Sequence, residues 1–131
     1  MVSAPRIRSF DISILDIPLF EPFGISGGAQ AMANNVLVAL ELDDGSRGYG
    51  EAAPLPPYNG ETQAAALVVL QDARSGLIGR EVADWKALAA DFRSRGGAGC
   101  GSAQCAFEMA LLDALTRRAG TPLWKFFGGA G

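Results

Sequence analysis

Polar and apolar residues alternate through SFDISI, residues 9–14. Phe10, Ile12 and Ile14 share one face and Ser9, Asp11 and Ser13 the other, the pattern of a half-buried strand. It continues through Leu15–Leu19, with Pro18 near its end. A second alternation, over residues 34–42, points Val36, Val38, Leu40 and Leu42 one way. Asp43-Asp44-Gly45 follows, a strong hairpin-turn signal, and a third strand is predicted over residues 46–51. Between the first two strands, FEPFGISGGAQ at residues 20–30 reads as a long glycine-rich loop carrying two phenylalanines and an isoleucine. The first half is thus predicted to be a three-stranded antiparallel meander.

The period then changes. Thr62 is placed as N-cap of a helix running to about Ile78 and stopped by Gly79. Asp84 is expected to cap a second helix through about Arg93. RGGAGCG, residues 95–101, reads as a flexible break. Ser102 is expected to cap a third helix to about Ala119, on which Ala103, Phe107, Ala110, Leu111, Ala114 and Leu115 fall on one face. Gly120 stops it, Thr121-Pro122 starts a short last helix, and Gly128-Gly129 ends that one. Strands first and helices after predict an α+β fold: a three-stranded antiparallel meander followed by three to four helices, in one domain over residues 1–131.

Between the strands and the helices lies GYGEAAPLPPYNGET, residues 48–62, with three prolines in four positions. Proline cannot donate to a sheet ladder, and glycine marks a bend or a close approach. The stretch reads as a strand end running into a stiff, semi-apolar loop.

Composition narrows the function. Of the 131 residues, 49% are apolar and 19% charged, and 17 are glycine. That is enough for a core, and the low charge implies a surface partly turned toward another domain or subunit. The net charge of −3, with no basic run, lacks the footprint of a nucleic-acid binder. No apolar run approaches the ~20 residues that span a bilayer. MVSAPRIRSFDI lacks the uninterrupted apolar segment of a secretory leader, so a cytoplasmic location is expected.

The search for reactive groups is mostly negative. With no histidine, neither a Ser-His nor a Cys-His pair forms. Cys100 and Cys105 have no second pair to complete a zinc site, and Cys105, on the third helix, reads as a buried free thiol. GGAGCGS is not a phosphate loop, for no strand precedes it and it has no lysine. Asp43 and Asp44 serve the turn. Glu108 and Asp113 lie roughly 140° apart around one helix and do not converge. Glu51, at the end of the third strand, is placed where a site could be, and its simpler role is to hold the following loop through backbone amides. Lys125, on the last helix, is expected in solvent. No catalytic residue and no metal ligand is assigned.

Residues 106–129, AFEMALLDALTRRAGTPLWKFFGG, resemble the end of the N-terminal capping domain in the enolase superfamily, in the mandelate racemase and muconate lactonizing enzyme group. Met109, Ala110, Leu111, Asp113, Gly120, Pro122, Gly128 and Gly129 match in register. Leu112 and Phe126-Phe127 are apolar-for-apolar departures. Pro18-Leu19, Pro22-Phe23, Asn35-Val36-Leu37-Val38, Asp44-Gly45, Gly48-Tyr49-Gly50-Glu51-Ala52, Pro54 and Gly60-Glu61 carry the resemblance through the first half.

The resemblance implies a domain that packs over the mouth of a modified (β/α)₈ barrel. In such enzymes the barrel's lysines abstract a proton α to a carboxylate, and its acidic ligands hold Mg²⁺ against the enediolate. A barrel takes roughly 200 residues or more, so bases, metal ligands and barrel are expected to be absent from this chain, which is then not catalytic alone. In the family, the loops after strands one and three close over the substrate. They correspond here to residues 20–30 and 52–60, which carries a substrate-contacting role onto Phe23 and Tyr58, and by position onto Ile25 and Leu55. Gly28 stands where relatives acting on Ala-Glu dipeptides tend to carry an arginine, which implies a small or apolar second residue in a dipeptide substrate. N-acylamino acid racemase, o-succinylbenzoate synthase and cycloisomerase chemistries remain alternatives at this level. A reading of another class is a stand-alone binding or self-assembly module that retains the cap fold and hides its barrel-facing surface by self-association.

Overall fold

Alternation carries the chain into three antiparallel strands, β1 (Ile7–Ile25), β2 (Gly28–Leu42) and β3 (Arg47–Ala52), with β2 in the middle. The structure is a computed structural model and describes residues 4–130; the first three residues, part of the stretch read above for a leader, lie outside them. Five helices follow: α1 (Pro56–Asn59), α2 (Gln63–Leu77), α3 (Trp85–Ser94), α4 (Gly101–Arg118) and α5 (Leu123–Phe126). The α+β class and the strands-then-helices order are as the sequence predicts. Two of the helices, α1 and α5, are single turns.

The inner face of the sheet is the predicted one through β2 and at Phe10, but Ile14, expected on that face beside Phe10 and Ile12, is exposed. Phe10, Val36, Val38, Leu40 and Leu42 are fully buried. They meet Leu70 and Leu77 of α2, Leu88 and Phe92 of α3, and Phe107 and Leu111 of α4 in one core. Phe107 joins the layers: its ring stacks on Phe92 at 4.3 Å between centroids and takes Phe10 edge-on at 5.9 Å.

β3 and α4 approach unusually closely, and glycine makes this possible. A Cβ added at Gly48 would overlap the Ala110 carbonyl and the Ala114 amide, and one at Gly50 the Ala106 carbonyl. Ala106, Ala110 and Ala114 recur at helical spacing on the face that meets them. The contact is reinforced by a hydrogen bond, for the Tyr49 amide donates to Asp113 Oδ2 at 2.9 Å while Asp113 Oδ1 holds Arg117 at 2.8 Å. Gly-Tyr-Gly and Ala-Leu-Leu-Asp are the two halves of one interface.

Helix ends follow local rules in part. Thr62 caps α2 as predicted, its hydroxyl accepting from the Ala65 amide at 3.1 Å. Asp84 stands at the cap position of α3, but its side chain makes no cap bond and a 3₁₀ turn, Val82–Asp84, precedes it. Ser102 does not cap α4, because the helix already begins at Gly101. Glu61 does so from forty residues away, accepting from the Gly101 amide at 2.6 Å and the Ser102 amide at 3.0 Å. A carboxylate there meets orphan donors and the positive end of the helix dipole.

Four further expectations are corrected. Residues 20–30 are not a loop: β1 and β2 run on as a two-stranded arm to Ile25 and Gly28. The 52–60 loop contains α1. The glycine-rich break winds into a 3₁₀ turn at Gly97–Gly99. Cys105 lies on α4 as expected but is exposed, and Cys100 is the buried thiol.

Replacing Gly50 with alanine is expected to destabilise the fold by about 1–3 kcal/mol or more, since backbone stands where the Cβ would go. Gly76, inside α2 with open space around it, is the contrasting site: alanine there is expected to stabilise by roughly 0.5–1 kcal/mol. Urea unfolding of the two variants checks both signs.

A second test concerns the α4 cap. Burial pushes the Glu61 carboxyl up, but hydrogen bonds from Ser102, Gly101 and Asn59 outweigh it and hold it below its ordinary 4.5. A depressed folded-state value means the cap stabilises fully above about pH 4.5 and is lost as the pH falls toward the folded-state value. Glu61→Gln is expected to cost about 1 kcal/mol at pH 7. Its deficit against the unsubstituted chain should shrink as unfolding is repeated at progressively more acidic pH.

Candidate functional site

Midway along β1 and β2, beside the end of β3, polar side chains tie the strands together. Asp16 of β1 accepts from Asn34 Nδ2 at 2.9 Å and from Gln63 Nε2 at 2.8 Å. Gln63 also reaches the Asn35 carbonyl at 2.9 Å, and Asn35 Nδ2 donates to Glu51 Oε1 at 2.6 Å. The bonds from Asn34 and Gln63 hold the Asp16 carboxyl below its ordinary value. Glu51 therefore has a structural partner, as its simpler reading proposed, but it is the Asn35 side-chain amide on β2. This clasp spans all three strands and the first turn of α2, and two segments leave the sheet from it.

One segment is the β1–β2 arm. Pairing breaks between Pro18↔Met32 and Phe23↔Gln30, so that β1 carries three more residues than β2 across the irregularity. Such a bulge bends a strand and re-aims its side chains. Beyond it the pairs Gly24↔Ala29 and Ile25↔Gly28 close the arm. The other segment leaves β3 at Ala53 and winds into α1. Pro56 and Pro57 occupy its first two positions, where a missing N–H leaves nothing unsatisfied. Gly60, with φ 75°, ends it by donating to the Pro56 carbonyl at 3.0 Å.

Between the two segments lies an apolar groove of about 310 Å³, lined by Leu19, Phe23, Gln30, Ala33, Asn35, Ala53, Pro54 and Leu55. Two of the four residues singled out from the sequence, Phe23 and Leu55, come together in it. Ile25 is at the tip of the arm, paired with Gly28. Tyr58 stands on α1 with 76% of its surface exposed, and neither it nor Ile25 lines the groove. Sequence reading missed Leu19, Gln30, Ala33, Asn35, Ala53 and Pro54 as lining residues. Ala33 and Asn35 carried a usable signal, since they sit at the odd-numbered positions of β2, opposite in phase to Val36 and Val38. Leu19 is in the same phase as Leu15 and Ile17, which pair with Asn35 and Ala33, although regular pairing stops at Pro18 just before it.

The groove's chemistry is simple. Its polar side chains are Gln30 and Asn35, and the amide nitrogen of the latter is engaged by Glu51. No acidic or basic side chain lines it. It can take up an apolar group, orient it with one amide, and shed water; it offers nothing to pair with a charge.

Residues 10–128 match the family described as mandelate racemase / muconate lactonizing enzyme, N-terminal domain. The chain belongs to this family. An aromatic dipeptide epimerase of Herpetosiphon aurantiacus is 46% identical over 125 residues, which are 94% of this chain and 34% of that protein. A mandelate racemase/muconate lactonizing enzyme structure from a Roseiflexus species is 48% identical, with a TM-score of 0.85, covering 100% of this chain and 34% of the other. A dipeptide epimerase from Cytophaga hutchinsonii, in complex with Mg and D-Ala-L-Val, is 34% identical with a TM-score of 0.87, covering 95% and 34%. The chain thus spans about a third of the length of the curated relatives it matches. No helix among the described residues is long and apolar enough to cross a membrane.

A bound metal would need donors that the described residues do not group. Among the described residues no three His, Cys, Asp or Glu side chains come together to hold one. The clasp shows why its two carboxylates do not: Asp16 and Glu51 are each occupied by side-chain amides.

Proposed function

We propose that this domain closes over the active site of a dipeptide epimerase, with the Leu19–Phe23–Pro54–Leu55 groove receiving the side chain of a small or apolar second residue. The observation that carries the reading is the groove itself, framed by the two segments that correspond to the family's substrate loops and free of any charged side chain. Dipeptide epimerase relatives spanning nearly the whole chain, one described as aromatic and one as hydrophobic, support it. Proton abstraction α to a carboxylate belongs, on this reading, to a barrel domain, as does Mg²⁺. The present residues bind and exclude. Phe23 and Leu55 cover the side chain, Gln30 orients it, and the expelled water raises the strength of every charge interaction in the closed site. Ile25 and Tyr58 join the lid as it meets substrate.

The exposed apolar residues fit a domain that works against a partner surface. Ile14, Ile17, Phe20 and Met32 on the arm, and Trp124 and Phe127 at the C-terminal end, are all exposed. We take the barrel as their cover, and self-association as their fate in the isolated chain. Light scattering on the isolated chain is expected to show dimers or larger species at concentrations of tens of micromolar; a clean monomer there would count against a large apolar interface.

The reaction is tested on the intact enzyme by α-proton exchange in D₂O over a panel of Ala-X dipeptides, read by mass spectrometry. Phe, Tyr, Leu and Ala at X are expected to exchange, with Glu at least about tenfold slower. Phe23→Ala or Leu55→Ala is expected to lower kcat/KM for Ala-Phe by roughly 10–100-fold while leaving Ala-Ala less affected. A preference for Ala-Glu, or no dipeptide exchange at all, would overturn the reading.

A further inference from the structure

The arm and α1 belong to different stretches of chain, yet they touch at their tips. An added Cβ at Gly27 would overlap the Pro57 carbonyl oxygen, and one at Gly28 would meet the Pro57 ring at 3.2 and 3.4 Å. Gly28 has φ 146°, a conformation that favours glycine, whereas Gly27 is not in that region and accepts other residues conformationally. Gly27 is glycine for lack of space alone. The prolines hold the other half of the contact, since Pro56 and Pro57 stiffen the turn that presents the Pro57 carbonyl.

We propose that Gly27, Gly28 and Pro57 form a clamp that joins the arm and α1, so that the two walls of the groove, which carry Phe23 and Leu55, move as one unit. The clamp stands on geometry alone; that the groove it frames takes up substrate rests on the function proposed above. A lid held at both ends has less freedom to lose on closing, which favours binding. Coupling of this kind is reciprocal: a change on either side is felt on the other.

Amide hydrogen exchange on the folded chain tests this without any assay of activity. Gly27→Ala introduces no backbone strain and only the collision with Pro57, so exchange should quicken about tenfold in α1, at the Gly60 amide bonded to Pro56. Pro57→Gly should do the converse, quickening exchange at the arm's tip around Gly24–Ala29. Gly24→Ala is the control, for its Cβ meets only Ala29 at an ordinary 3.7 Å, and α1 should not respond to it. Core amides such as Val38 and Leu40 report that each variant is folded. If either clamp variant fails that check, the other decides alone. Exchange that changes only within the substituted segment would overturn the clamp. An enzyme that epimerises no dipeptide would overturn the proposed function and leave the clamp standing.

Discussion

The fold depends on how closely α4 lies against β3. Gly48 and Gly50 have no side chains because the backbone of α4 occupies that space, and Ala106, Ala110 and Ala114 keep the helix face flat enough to fill it. Asp113 then takes the Tyr49 amide, which fixes the helix along the strand as well as against it. The end of β3 is thereby set, and with it the point from which residues 53–60 depart. Those residues return to the same helix, for Glu61 closes the segment by capping the N-terminus of α4. One helix thus anchors this segment at both ends. The β1–β2 arm has no such support. Its core-facing side chains end near Ile12, and Ile14 and Ile17 beyond it are exposed. It is held at its base by the Asp16 clasp and at its tip by contact with Pro57.

This difference explains what could be read from the sequence. Strand alternation is legible where one face is buried and the other is not, so Phe10, Val36, Val38, Leu40 and Leu42 announced the sheet. In the arm both faces are exposed, the alternation disappears, and FEPFGISGGAQ looks like loop although it pairs as strand. Thr62 was legible as a cap because the donor it satisfies is three residues away. Glu61 was not, since its donors lie forty residues on and only the tertiary fold brings them within reach. α1 escaped notice because a four-residue helix has no periodicity to show, although Pro-Pro at its start and Gly60 at its end are the residues such a turn requires. Phe23 and Leu55 were reached through resemblance and not through pattern. Their neighbours Leu19 and Pro54 come from separate stretches, Leu19 from the point where β1–β2 pairing breaks and Pro54 from the segment that leaves β3, and only the tertiary fold brings them together.

On the proposed function, an apolar groove selects in an uneven way. Enclosing a carboxylate beside Phe23, Pro54 and Leu55 leaves a charge without water and without a partner, a cost far larger than any contact it gains. Acidic side chains are therefore excluded strongly, by absence of compensation and not by a steric wall. Among apolar side chains the same groove discriminates weakly, because one methylene more or less changes the transition-state free energy by only about 1–3 kcal/mol. A domain of this kind is suited to a range of apolar residues, graded by size. Gly28 fits that picture twice over. It supplies no charge for an acidic side chain, and its lack of a Cβ lets the arm settle against Pro57. A basic residue introduced at this position would alter both terms together, adding a charge to the lid and crowding Pro57. Selectivity gained that way could not be assigned to the charge alone.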